Sequence, residues 1–267
     1  MGATPFAFPD FSGATRRLIL VNLGAFFCLL LAGFAAPLAT GTLTNYLSFV
    51  PSYFLHGLIW QPITYSLVHP TLMGTLFELL SLWFLASFLE TYRGASWVTG
   101  LYAASVLGTA VAAAAIYQIA NTLGHPMESA PLYGCMGGIF GMLIAIGLLY
   151  GDVEFLMFFV VGIKARYLAA IYALITLAML FGQSRLYAFA QIGGALAGLL
   201  FIKFVPRRGI GFAASEWLYG LRNGYYRWKR RRAGRKFEVY MKKQGRTVRL
   251  DNRGRPIDDD NDRSRWN

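Results

Sequence analysis

Charge is scarce over most of this chain. Only six of its 25 Lys and Arg residues precede Lys203; the other 19 lie at or beyond it. Charged residues make up 14% of the sequence and apolar residues 56%, with a mean hydropathy of +0.45. A soluble domain of this length is not usually so apolar. The two cysteines, Cys28 and Cys135, sit in apolar stretches and offer neither a disulfide framework nor a cysteine-based metal spacing. They read as small buried hydrophobes. Histidine is limited to His56, His69 and His125, so no imidazole follows the midpoint of the chain. No serine occurs between Ala130 and Ala165. An apolar body with a basic tail points to a membrane or nucleic-acid surface.

Long apolar runs account for that body. A bilayer core needs roughly 20 apolar residues per helix. Six stretches qualify or come close: Leu18–Leu38, Leu72–Tyr92, Ser96–Ala120, Leu132–Tyr150, Tyr167–Phe181 and Leu186–Val205. The first reads as a retained span and not as a signal peptide. Asp152–Ile163 reads as an interfacial segment ahead of the fifth span, with Lys164 and Arg166 snorkelling to headgroups. Cations alternate between successive connections, which under the positive-inside rule places both termini in the cytoplasm. The expected organisation is an N-terminal arm (1–17), a membrane domain (18–205) and a basic, partly disordered tail (206–267). A bacterial plasma (inner) membrane is the expected location.

Two regions outside the spans have their own character. The first connection, Gly41–Val68, carries Tyr46, Phe49, Tyr53, Phe54, Trp60 and Tyr65, broken by Pro51 and Pro62. It reads as a structure lying in the interface, where Trp and Tyr are favoured. In the tail, Arg227, Lys229, Arg230, Arg231 and Arg232 are interleaved with Tyr225, Tyr226 and Trp228. That pattern fits anionic lipid headgroups, at roughly 1 kcal/mol per cation near such a surface, in preference to nucleic acid.

Polar residues inside spans are functional candidates by default. Here they are His69 and Glu78 at the second span and Gln191 in the sixth. Gly134, Gly137, Gly138 and Gly141 in the fourth span, and Gly194 and Gly198 in the sixth, have spacings that let two helix backbones approach closely. His69 with Glu78 lacks a third metal ligand unless His56 lies nearby, so no metal and no cofactor is expected. Glu78 is expected to face the bundle interior, with Gln191 or Ser81 as partner.

Taken together these pieces resemble the rhomboid family of intramembrane serine proteases. The resemblance rests on Trp60 near the end of an aromatic first loop, and on His69 leading into a helix that contains Glu78. It rests also on Glu90, Arg93 and Gly94 at the turn that follows, on Gly134-Cys135-Met136-Gly137-Gly138, and on the small-residue run after Gln191. It covers nearly all of the membrane part and implies an all-α, six-transmembrane-helix, polytopic bundle with an interfacial first loop.

The resemblance also shows what is missing. Family proteases use a Ser on the fourth helix, deprotonated by a His on the sixth. Met136 stands in the Ser slot and Gln191 in the His slot; neither can do that chemistry. Glu78 stands where an oxyanion-side Asn is expected, Gly74 where a second His is expected, and Phe140 at the supporting aromatic. His69 and Trp60 have counterparts of mainly structural role. The expected function is therefore a non-proteolytic protein that binds or routes transmembrane segments of client proteins by lateral access beside the second and fifth helices. The alternative is a rhomboid-type intramembrane endopeptidase with non-standard catalytic residues. A small transporter would need internal repeats and several intramembrane charges, and neither is evident.

Overall fold

The structure is a computed structural model that describes residues 10–125, 127–157, 161–182 and 185–205, with isolated positions between 219 and 244. The chain divides into two compact units, Met1–Ile210 and Gly211–Asn267. In the first unit the main helices are α1 (Gly13–Ala35), α5 (Leu72–Arg93), α6 (Ala95–Thr122), α7 (Met136–Leu149), α8 (Ala165–Met179) and α9 (Arg185–Phe204). Three short helices, α2 (Pro37–Leu47), α3 (Pro51–Leu55) and α4 (Gln61–Thr64), fill the first connection.

Among the described residues four helices, α1, α5, α6 and α9, are long and apolar enough to cross a membrane. At 1.5 Å per residue, the 14-residue α7 extends only about 21 Å, against a hydrocarbon core of about 30 Å. It begins inside the bundle. Leu31, Phe34 and Phe181 point outward with most of their surface uncovered. In lipid such a face carries no penalty; in water it would be a liability.

Helix α6 is the centre of the bundle. Trp97, Val98, Leu101, Ala110 and Ala113 on it are fully buried. It meets α9 through small residues, with Gly108 against Ala197 and Gly193 against Ala112. Helix α7 wedges against both. A Cβ on Gly138 would enter the Tyr102 ring and one on Gly141 would strike Ser105, both on α6. Across to α9, a Cβ on Gly198 would lie 2.9 Å from the Gly141 Cα, and one on Gly194 would lie 3.1 Å from the Gly137 carbonyl oxygen. Without a hydrophobic drive between helices in lipid, such close backbone contact is the main source of association.

The first connection is folded, and side chains pin it to its own backbone. Gln61 Oε1 accepts from Val50 N (3.2 Å) while its Nε2 donates to Tyr46 O (3.3 Å). Trp60 Nε1 donates to the same carbonyl, and Thr64 Oγ1 donates to Leu47 O at 2.7 Å. Pro37, Pro51 and Pro62 each sit in the first turn of a short helix, where the missing N–H costs nothing. A two-way backbone pairing of Phe49 with Leu132 ties the connection to the approach to α7.

Two local features go beyond the expectations. The segment ahead of α8 is a β-hairpin, β1 (Glu154–Met157) antiparallel to β2 (Val161–Lys164), with Glu154 opposite Lys164. Its apolar, partly β-branched run satisfies its backbone across two strands. Helix α1 begins at Gly13, a full turn before the apolar run at Leu18. Its first N–H groups have an acceptor, because the Glu90 carboxylate takes bonds from Ala14 N (2.8 Å), Thr15 N (2.9 Å) and Thr15 Oγ1 (2.7 Å). Replacing Glu90 with Ala removes that cap. The expected result is a loss of about 1–2 kcal/mol, read as a lower unfolding temperature in detergent, with helix content nearly unchanged.

Candidate functional site

The polar centre of the bundle is assembled at the start of α7. Helix α5 opens with Thr71 as its cap, the side chain accepting from Gly74 N at 3.3 Å. A Cβ on Gly74 would sit 2.6 Å from that hydroxyl oxygen. The slot matched to a second histidine therefore serves the local cap. About one turn beyond Gly74, Glu78 projects toward the N-terminus of α7. Its Oε2 accepts from Cys135 N at 2.8 Å and lies 3.5 Å from Cys135 Sγ. A helix N-terminus presents unpaired N–H groups and positive dipole density, so a carboxylate belongs there.

Gly134 makes this possible. Its φ of +78° is in the left-handed region, and a Cβ there would run into the Glu78 carboxylate. Its N–H is held by the carbonyls of Tyr65 and Val68, which end the first connection. Gly134 is thus a turn residue cradling Glu78, which differs from the helix-packing role expected of it. Gly137 faces Thr109 and Tyr65, so the packing glycines of α7 meet α6 as well as α9.

His69 completes the cluster. Its Nδ1 lies 3.3 Å from Glu78 Oε2, and its side chain is almost fully buried. Its Nε2 lies 3.1 Å from Asn22 Oδ1 on α1. The Asn22 amide is oriented by its Nδ2, which donates to Leu18 O at 2.7 Å. His69, Glu78 and Cys135 have ligand-capable atoms all within 4.8 Å of one another. Glu78 thus pairs with His69 and Cys135 and not with Gln191 or Ser81. The third member is not evident in the sequence, because Cys135 reads as a small buried hydrophobe and both His69 and Glu78 are remote from it in the chain. His56 plays no part. It is exposed, and its ring bonds to Ser52 O.

The remaining slots lie elsewhere. Met136 is half-buried as the first residue of α7. Phe140 is buried and packs edge-on to Tyr172 of α8. Gln191 is buried on α9, where its Oε1 accepts from Thr176 Oγ1 of α8 at 3.2 Å. Beside this layer, Leu80, Phe84, Leu143, Leu168 and Tyr172 help line a groove of about 210 Å³ between α5, α7 and α8. In the second unit Lys229 and Arg232 are exposed, and the Arg232 guanidinium stacks on Trp228 at 5.4 Å. Arg227, Arg230 and Arg231 lie outside the described residues.

A family model described as eukaryotic integral membrane protein (DUF1751) matches residues 19–217. The chain belongs to that family. The match takes in α1 from Ile19 onward, the other five main helices and the polar cluster. It corrects one expectation: a bacterial inner membrane is not the location, because the family is eukaryotic. Apolar spans and basic flanks look alike in both settings, so composition could not separate them. No curated protein matches the chain.

The Gly134 turn gives a direct test. Gly134→Ala forces a side chain into a left-handed backbone and against Glu78, at a cost of about 1–2 kcal/mol for the backbone alone. Thermal unfolding should show the loss, and a smaller one when Gly134→Ala is made in a Glu78→Ala background.

Proposed function

We propose that this family member is a non-proteolytic, rhomboid-like protein that holds transmembrane segments of client proteins. The observation that carries this reading is the groove between α5, α7 and α8, lined almost wholly by apolar side chains. It lies between the second and fifth main helices, where the rhomboid resemblance implies lateral access. Ser81 and the Tyr172 hydroxyl are its polar features, suited to the interhelical hydrogen bonds that supplement close packing in lipid.

Three features weigh against peptide-bond hydrolysis. Met136 offers no acidic proton and Gln191 no base. Glu78 already occupies the Cys135 N–H, a helix-start donor that a developing oxyanion would need. The Cys135 thiol, the remaining nucleophile beside an imidazole, is fully buried. The tail, with Lys229 and Arg232 exposed beside aromatic rings, suits anionic lipid headgroups.

A photoreactive residue at Leu80 should crosslink to membrane partners through their transmembrane segments. Ser81→Trp, which fills the groove, should reduce that capture severalfold without lowering the unfolding temperature. Capture indifferent to Ser81→Trp would sink the groove as the binding surface. A fluorophosphonate probe should label no residue of the purified protein. Covalent labelling abolished by a single substitution would instead favour the endopeptidase alternative.

A further inference from the structure

The His69–Glu78 contact poses an electrostatic problem. The Asn22 amide, fixed by its bond to Leu18 O, turns Oδ1 toward His69 Nε2. A carbonyl oxygen can only accept, so Nε2 must carry the hydrogen. In the neutral ring that leaves a lone pair on Nδ1, pointing at a carboxylate oxygen 3.3 Å away. Two acceptors do not face each other in a buried site without something positive between them. The candidates are a proton and a metal ion.

We propose that His69, Glu78 and Cys135 form a binding site for a divalent transition metal, with zinc the best fit. The donor set is one imidazole nitrogen, one carboxylate oxygen and one sulfur, a mixed set that suits zinc. With zinc–nitrogen and zinc–oxygen bonds of about 2.0 Å and a zinc–sulfur bond of about 2.3 Å, tetrahedral edges are about 3.3 Å for N···O and about 3.5 Å for S···O. The observed separations are 3.3 Å from His69 Nδ1 to Glu78 Oε2 and 3.5 Å from Cys135 Sγ to the same oxygen. All three donors fall within 4.8 Å of each other.

The surroundings fit as well. Histidine ligands characteristically donate their other ring N–H to a fixed acceptor, which sets the tautomer and orientation. Asn22 Oδ1 is such an acceptor, 3.1 Å from Nε2. Binding would release the Cys135 thiol proton to solvent. A dication with one thiolate and one carboxylate is then neutral overall, which an apolar bundle tolerates. Three protein ligands leave the fourth position open. The buried Tyr102 hydroxyl lies beside Cys135, Ser66 and Asn22 without a well-formed hydrogen bond. A cavity lined by Phe26, Thr44, Asn45, Val68 and Pro70 reaches His69. The site does not depend on the client-holding reading, because its ligands lie outside the α5–α7–α8 groove.

The test uses full-length protein purified in detergent without a histidine tag, equilibrated with zinc, desalted and analysed for metal. About one zinc per chain is expected in the wild type and in Cys28→Ser, and less than about a tenth of that in Cys135→Ser. Asn22→Ala should weaken zinc binding about 10–100-fold. Cobalt loaded into the wild type and into Cys28→Ser should give a thiolate-to-cobalt charge-transfer band, a readout that holds even where a Cys135 variant fails to fold. Folded wild-type protein with neither stoichiometric zinc nor that band overturns the proposal and leaves a proton between His69 and Glu78. Zinc binding undiminished in folded Cys135→Ser overturns it equally.

Discussion

Helix starts that begin inside an apolar bundle need acceptors, and this fold supplies them from a single helix. In lipid, every unpaired backbone N–H must be satisfied internally. Glu78 and Glu90 lie on α5, about 18 Å apart at 1.5 Å per residue. Glu90 receives the N-terminus of α1, and Glu78 receives that of α7. Helix α5 therefore fixes where two neighbours begin. Because α7 is too short to span the bilayer alone, the Glu78 end carries most of the consequences. The turn at Gly134, the pairing of Phe49 with Leu132 and the burial of His69 all converge on it.

Close packing does the rest. The α6–α9 contact rests on Gly108, Gly193 and neighbouring alanines, and α7 enters through Gly138 and Gly141. This arrangement leaves α8 on the outside, with a half-open apolar groove against α5. Helices α6, α7 and α9 pack closely through these small residues, while the α5–α8 side carries the apolar groove. The same arrangement separates Gln191, bonded to Thr176 of α8, from the His69–Glu78–Cys135 cluster. The Gln191–Thr176 contact and the cluster at the start of α7 are thus separate polar contacts.

Much of this was legible in the residues. Apolar run length marks the helices, and small residues at four-residue spacing mark the tight contacts, because both follow from local chain geometry. The absence of serine in the fourth span and of histidine in the sixth needs no alignment and no structure. The β-hairpin before α8 was not legible, since a short apolar run suits a strand and an interfacial helix alike. Nor was the true start of α1, which depends on a carboxylate 75 residues away.

The sequence by itself determined the membrane class, the helical architecture and the absence of serine from the fourth span and of histidine from the sixth. These depend on composition and periodicity, which each segment carries alone. The tertiary structure alone decided that Cys135 joins His69 and Glu78, and that Gly134 is a cradle and not a packing residue. It also decided that Asn22 Oδ1 faces His69 Nε2. Those facts depend on distances between segments remote in the chain. Such distances are fixed only when helix ends, turns and close backbone contacts are satisfied together.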